Sequence, residues 1–254
     1  MISIIVPVLN EARNIERLLQ HLSANAKYPH LLEIIVVDGG STDGTQAKVA
    51  EISKRLTSVS VQGIVAEKGR AVQMNAGAKY AKGTILYFLH ADSLPPKNFD
   101  ALIQQEVSQG NPAGCFRMQF DSSHLWLQLA GWLTQFKWRA CRGGDQSQFI
   151  TTKLFRDIGG YDETYTIYED NILINELYAR GKFVVINKKL LTSARLYREK
   201  GVFKLQYHFW AIYVKKWLGA DANELYAYYK KHVRPRPSSA TTDTVKYETQ
   251  RQQL

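Results

Sequence analysis

Cysteine is scarce. Cys115 and Cys141 are the two present in 254 residues, and their spacing matches no metal-ligand motif. A cysteine-built metal centre and a disulfide framework are both excluded. One bridge remains open to the pair, but two free thiols in a reducing cytosol are the expectation. No run of about 18 uninterrupted apolar residues exists, so no transmembrane helix is expected. The N-terminus lacks a basic start and a small-residue cleavage pattern, and no signal peptide is expected. Glycine is missing after the first apolar run, where PVLNEARN stands. The G-x-G-x-x-G fingerprint of dinucleotide-binding dehydrogenases is therefore absent from its required place, and GGSTDG after the second run has the wrong spacing. Acidic residues are short, 23 against 33 Lys+Arg, which leaves a formal net charge of +10. That excess favours anionic partners: phosphates, nucleic acid or an acidic membrane surface.

What is present reads as alternating strands and helices. ISIIVPVL, residues 2–9, is a short β-branched apolar run, and Ile15, Leu18, Leu19 and Leu22 then fall on one helical face. EIIVVD, residues 33–38, is a second strand. Thr42 or Asp43 suits the N-cap of a helix running to about Leu56. A strand near 59–65, a helix from Arg70 to Tyr80 and a strand over 84–89 follow. Such alternation implies βαβ units and a mostly parallel central sheet with helices on both faces. The second half predicts a strand near 112–121, an aromatic helix over 124–139 and a short helix over 151–158. Beyond the Gly159-Gly160 turn come a helix over 168–180, a strand over 182–187 and an amphipathic helix over 201–218. The expectation is one domain over 1–232: a nucleotide-binding half to about 95, an acceptor half to about 200, and C-terminal helices. The Pro-, Ser-, Thr- and Gln-rich stretch 233–254 reads as a disordered tail.

In open α/β sheets ligands bind beyond the carboxyl ends of the strands. Three such ends here carry polar groups: Pro7-Val8-Leu9-Asn10-Glu11, Asp38-Gly39-Gly40 and His90-Ala91-Asp92. The bland alternative is that Asp38 only caps the Ser41-Thr42 turn, and Glu11 also suits a helix N-terminus. His90 and Asp92, two apart on an extended segment, would point the same way. Gly69-Arg70 opens a helix, where free N–H groups and a fixed cation suit an anion.

The segments IIVPVLNE, VVDGGSTDGT, GRAVQMNAG, FLHAD and YED occur in this order and together resemble a family 2 glycosyltransferase of the GT-A fold, over about residues 1–200. GRAVQMNAGA with FLHADS further resembles a bacterial subgroup, some members of which are named arsenosugar-biosynthesis glycosyltransferases. The resemblance implies an inverting transfer of a sugar from a UDP-, GDP- or dTDP-sugar to an acceptor hydroxyl. It gives Asp38 contacts to the nucleoside, although Gly39 stands where relatives have a second aspartate. It places Pro7, Asn10, Glu11, Gly69, Arg70, Asn75, His90 and Ala91 along the donor cleft. FLHAD takes the place of the family's Asp-x-Asp motif, so Asp92, with or without His90, would hold Mn²⁺ or Mg²⁺ beneath the diphosphate. Asp170 would be the general base with Glu169 beside it, a role that needs a carboxylate within hydrogen-bond reach of the acceptor. Gly144, Asp145 and Gln146 resemble the acceptor-side loop. Arg195 and Arg198 can bind the leaving diphosphate, cover the site, or form a solvated basic loop.

The acceptor is left open as a small molecule or a lipid-linked one. The expected location is cytoplasmic, with the 201–218 helix able to lie on the inner face of an anionic membrane, pack on the main domain, or meet a second subunit. Two other functions compete. A nucleotidyltransferase on a related α/β fold would place a glycine-rich basic loop after the first strand. A non-catalytic basic protein binding nucleotides or nucleic acid would cluster its cations with aromatics, whereas here the basic residues are dispersed and acids stand at the strand ends. No nucleic-acid partner is expected.

Overall fold

The two most apolar runs become the centre of a sheet. In the computed structural model, which describes residues 1–143 and 146–233, β1 (Ile2–Val8) and β2 (Leu32–Asp38) pair in parallel from Ile2 opposite Leu32 to Val8 opposite Asp38. β3 (Ser60–Val65) joins β2 and β4 (Ile85–Phe88) joins β1, both in parallel. Parallel neighbours need crossovers, and α1 (Ile15–Asn25), α2 (Thr45–Arg55) and α3 (Arg70–Tyr80) supply them. All four strands therefore end at one edge.

The sheet continues through β5 (Ser93–Leu94), β6 (Ala113–Phe120), β7 (Gln148–Thr151) and β8 (Val184–Thr192), in the order β3-β2-β1-β4-β7-β6-β8-β5. β7 runs antiparallel to both β4 and β6, whereas β6 and β8 are parallel. The reversal at β7 returns the ends of β6 and β8 to the edge where β1, β2 and β4 finish, and β5 runs antiparallel to β8. Among the described residues this is the mixed, mostly parallel α/β sheet expected.

Each face carries its own apolar core. Ile4, Val6, Ile34 and Val36 pack with α1, α2 and α4 (Phe99–Ser108). Ile5, Ile35 and Val37 pack with α3, α6 (Thr152–Ile158) and α7 (Glu169–Ala179). Alternation along β1 and β2 divides the residues between the two, and each fully buried Ile or Val contributes about 1.5–3 kcal/mol. Gly77 lets α3 lie close, since a Cβ there would sit 2.5 Å from Ile5 Cγ2.

Several boundaries differ from expectation. The helix predicted over 124–139 is α5 (Leu125–Leu133) alone. Thr134 stops it by donating its hydroxyl to Gly131 O at 2.6 Å while accepting the Met118 N–H at 2.9 Å. β7 is too short to be foreseen, whereas α4 was not foreseen although Phe99, Leu102, Ile103 and Val107 fall on one helical face. β8 extends to Thr192, five residues beyond the predicted end at 187, because it pairs with β6 past a bulge at Phe116/Arg117. Both cysteines are free, and Cys115 is buried. After α8 (Arg195–Lys200), α9 (Val202–Trp217) and α10 (Ala222–His232) form a layer that packs against Ile167. Val233, placed in the tail by sequence, is fully buried in that layer; residues 234–254 lie outside the described residues.

Candidate active site

Pro7 marks where the strands release the chain. The Leu89 N–H bonds Ile5 O at 3.0 Å, so Ile5 and Pro7 both turn their backbone groups toward β4. β4 ends at Phe88, and proline has no N–H with which to carry the ladder further. Beyond it the β1–α1 loop is tied down. Asn10, in left-handed conformation at φ 58°, donates its N–H to Ser41 Oγ at 2.8 Å. The Glu11 N–H goes to Thr45 Oγ1 at 3.0 Å and the Ala12 N–H to Asp43 Oδ2 at 3.0 Å. Three successive amides are thus committed to side chains, and none is left to cradle a phosphate as a glycine-rich loop does. Asp43 also accepts from the Thr45 N–H at 3.1 Å. It steadies the start of α2, although the N-cap residue itself is Gly44, at φ 88°.

Asp38 serves two ends at once. Its Oδ1 accepts the N–H groups of Gly40 and Ser41 at 2.7 Å each and Gln46 Nε2 at 3.2 Å. Its Oδ2 is buried with no hydrogen-bond partner among the described residues. Burial raises the carboxyl's pKa, but the Ser41, Gln46 and Gly40 donors outweigh it and hold Asp38 below its ordinary value. A buried acceptor without a donor is rare enough to ask for a ligand N–H or O–H.

Gln73, which the sequence reading passed over, explains Gly39. From α3 its Nε2 donates to Val8 O at 2.9 Å and Val37 O at 2.7 Å, across the ends of β1 and β2. A Cβ on Gly39 would lie 3.0 Å from Gln73 Cδ. The space of a side chain at 39 is taken by this amide. A polar residue on the buried face of a helix, beside Ala71 and Met74, was the available signal.

One turn earlier, Arg70 faces the acid pair. Its Nε lies 3.2 Å from Glu169 Oε1 and its Nη1 3.6 Å from Asp170 Oδ2. Glu169 is only 1% exposed and Asp170 12%. Both sit in the first turn of α7, where the dipole favours anions. The Tyr161 hydroxyl is buried nearby. Desolvation first, then Asp170 and Glu169, push its pKa well above the usual phenol value. α3 thus carries both Gln73, which bonds the ends of β1 and β2, and Arg70, which pairs with the acids.

His90-Ala91-Asp92 is a turn, not the extended segment expected. The Ser93 N–H bonds back to His90 O at 3.1 Å, so the rule that places residues two apart on one side does not apply. Asp92 lines a cavity of about 70 Å³ with Arg17, Asp121 and Ser193. Its charge, with that of Asp43, adds to the desolvation that raises the pKa of Glu11, against lowering by Asn14 and Arg195. A larger cavity, about 550 Å³ between α5 and β6, holds none of the predicted residues.

The two arginines separate. Arg195 Nη2 stands 3.7 Å from Glu11 Oε1 and is 57% exposed, facing the strand-end edge. Arg198 is committed to Asp121, Nη1 to Oδ1 at 3.0 Å, and so is a clamp on the β6 exit. Two other predicted site residues are structural. Asn75 accepts the Tyr161 N–H at 2.9 Å and donates to Tyr161 O at 2.9 Å, fastening the Gly160 turn beneath α7. Gln146 is buried, accepting from Arg142 Nη1 at 2.6 Å and donating to Cys141 O at 2.5 Å. Arg142 also reaches Phe136 O and Cys115 Sγ; burial raises the Cys115 thiol to about 11 even so. Gly144 and Asp145 lie outside the described residues.

No group of three or more His, Cys, Asp or Glu able to hold a metal forms among the described residues. A closed, all-protein metal cage is not what Mg²⁺ or Mn²⁺ needs beneath a diphosphate. One or two carboxylates with substrate phosphates suffice, and Asp92 at the strand edge fits that partial donor set.

The sequence profile described as Glycosyl transferase family 2 matches residues 3–161. Glycosyltransferase AglE of Haloferax volcanii is 32% identical over 94 residues, 37% of this chain and 31% of that one. Succinoglycan biosynthesis protein ExoA of Rhizobium meliloti is 25% identical over 194 residues, 66% of this chain and 54% of its own. The chain thus spans about a third to a half of the length of these relatives. The solved mannosyltransferase PcManGT from Pyrobaculum calidifontis, in complex with GDP-Man and Mn²⁺, superposes with a TM-score of 0.65 at 19% identity, over 93% of this chain and 65% of that one. At that identity the likeness is one of fold, the GT-A sheet.

Proposed function

Because the chain belongs to glycosyl transferase family 2, we propose that it moves a sugar from a nucleotide diphosphate sugar to an acceptor hydroxyl, with inversion. The observation that carries this reading is that α3 serves both ends of the site: Gln73 bonds Val37 O, next to Asp38, and Arg70 pairs with Glu169 and Asp170.

Asp38 receives the donor nucleoside, its Oδ2 accepting from a base N–H or ribose hydroxyl. Glu11 and Asn10 border the ribose. Arg70 and Arg195 offer cationic charge to the diphosphate, and Arg70 also fixes the orientation of the acid pair. Asp92, with His90 beside it in the turn, would hold Mn²⁺ or Mg²⁺ together with the donor phosphates. When bound, that cation neutralises charge on the departing nucleoside diphosphate. Asp170 takes the proton from the acceptor hydroxyl as its oxygen attacks the anomeric carbon. The bond to the diphosphate breaks on the opposite side, so one displacement inverts the centre. Glu169, buried against Arg70, is a positioning residue rather than a second base.

The nucleotidyltransferase alternative loses its footing in the β1–α1 loop, whose amides at Asn10, Glu11 and Ala12 are all occupied. Thermal-shift measurements with UDP-, GDP- and dTDP-sugars, with Mn²⁺ and with EDTA, test the proposal. Stabilisation by one nucleotide class is expected, about 2.7 kcal/mol at a hundredfold excess over Kd. Asp92→Ala should remove most of the Mn²⁺-dependent part and leave the EDTA value unchanged. Absence of any nucleotide-sugar response would defeat the donor assignment.

A further inference from the structure

α9 has two apolar stripes where a helix in one domain normally needs one. Leu205, Phe209 and Ile212 face inward, and Leu205 and Ile212 are buried against Ile167 and α10. At about 100° per residue, Phe203, Tyr207, Trp210, Val214 and Trp217 form a second stripe on the opposite side. Phe203 is 68% exposed, Trp210 54% and Trp217 85%. α5 lies beside it and extends the same surface. Trp126 of α5 meets Phe203 at 6.2 Å and Trp210 at 6.1 Å between ring centroids. Leu125, 81% exposed, and Trp132 continue the apolar face along α5.

We infer that the α5–α9 face docks on the interface of an anionic lipid bilayer. Three observations select this occupant. The exposed side chains are chiefly Trp, Phe, Tyr and Leu, the set that settles at headgroup depth, and no helix among the described residues is long and apolar enough to cross a membrane. Neither helix contains an acidic residue, while Lys204 and Lys215 lie along one side of the α9 stripe, Lys137 follows α5 in the chain and Lys189 lines the cavity beside it. Lys189 and Arg117 also line the cavity of about 550 Å³ under α5, giving headgroup phosphates a cationic recess beside the apolar face. A second copy of the chain would bring its own net charge of +10 to the same surface, which disfavours self-association there. The inference stands apart from the transfer reaction, since no residue of the face belongs to the acid pair or the donor edge.

Flotation of the full chain with phosphatidylglycerol and with phosphatidylcholine vesicles tests it. Binding to the anionic vesicles is expected, lost in high salt, with a blue shift of tryptophan emission. Lys137→Glu/Lys204→Glu should weaken it by about thirtyfold or more, each basic residue contributing about 1 kcal/mol near such a surface. Leu125→Ser/Trp217→Ser should abolish the blue shift while leaving thermal stability unchanged, since both side chains are exposed. Equal binding of wild type and both variants would overturn the inference. So would a concentration-dependent dimer in sedimentation that disappears in Leu125→Ser/Trp217→Ser, which would assign the face to a second copy.

Discussion

The guanidinium of Arg70 stands 3.2 Å from Glu169 and 3.6 Å from Asp170. It joins the first residue of α3 to the first turn of α7, two helices on one face of the sheet whose starts are 99 residues apart. This cation sets what each acid can do. Glu169, nearly without solvent, is the nearer of the two acids to it, and Asp170 is the more accessible.

Asp170→Asn should abolish transfer and leave donor binding intact. Loss of a general base costs about 10²–10⁴-fold in kcat, and calorimetry with the nucleotide sugar should return a wild-type affinity. Parallel loss of both would remove Asp170 from the role of base.

Arg70→Ala should destabilise the fold by about 1–3 kcal/mol, since it removes the guanidinium 3.2 Å from the buried Glu169 carboxyl, discounted because Arg70 is itself partly exposed. Arg70→Ala/Glu169→Gln should recover much of that loss. Thermal unfolding of the four proteins of this cycle measures it, at about 2–4 °C per kcal/mol for a chain of this size. Simple additivity would show the two groups uncoupled.

Gly39→Asp, which would restore the aspartate pair of relatives, should destabilise this chain. The new Cβ falls 3.0 Å from Gln73 Cδ, displacing the amide from Val8 O and Val37 O and leaving two carbonyls bare, a cost of about 1–3 kcal/mol. Gly39→Asp/Gln73→Ala should be less destabilised than the sum of its single changes. Denaturant unfolding decides this.

Glu11 and Asp38 should give opposite pH signatures. Burial raises the pKa of Glu11 above 4.5 in the folded chain, so stability is lost as pH rises from 4.5 through the folded value. Glu11→Gln should therefore be more stable than wild type at pH 7, with the gap closing below about pH 4. Hydrogen bonds from Ser41, Gln46 and Gly40 hold Asp38 below 3.8. Its stabilisation is present above that value and is lost as pH falls through the folded one, so Asp38→Asn should cost stability at pH 7 and little in strong acid. Melting curves across pH 2–8 separate the two, and matching profiles would refute both assignments.

Much of the first half was legible because it is locally determined. ISIIVPVL and EIIVVD can be little else than buried strands, and helix-length segments between them oblige a parallel sheet whose ends face one way. The polar residues at those ends could be read off directly. Asn75, Gln146 and Arg198 show the limit: a polar residue within a motif has the same letter whether it faces a ligand or holds a turn. Tyr161, Cys141 and Asp121, which those residues actually hold, lie far from them in sequence or give no sign of a partner.

By itself the sequence determined the strand–helix alternation, the edge where polar residues collect and the family, all products of short-range pattern and ordered motifs. Only the tertiary structure decided which carboxylates meet a cation, why position 39 must be bare, and which stripe of α9 remains outside. Those depend on distances between side chains brought together by β7's reversal and by α3 crossing the sheet ends, and packing over such separations leaves no periodic trace along the chain.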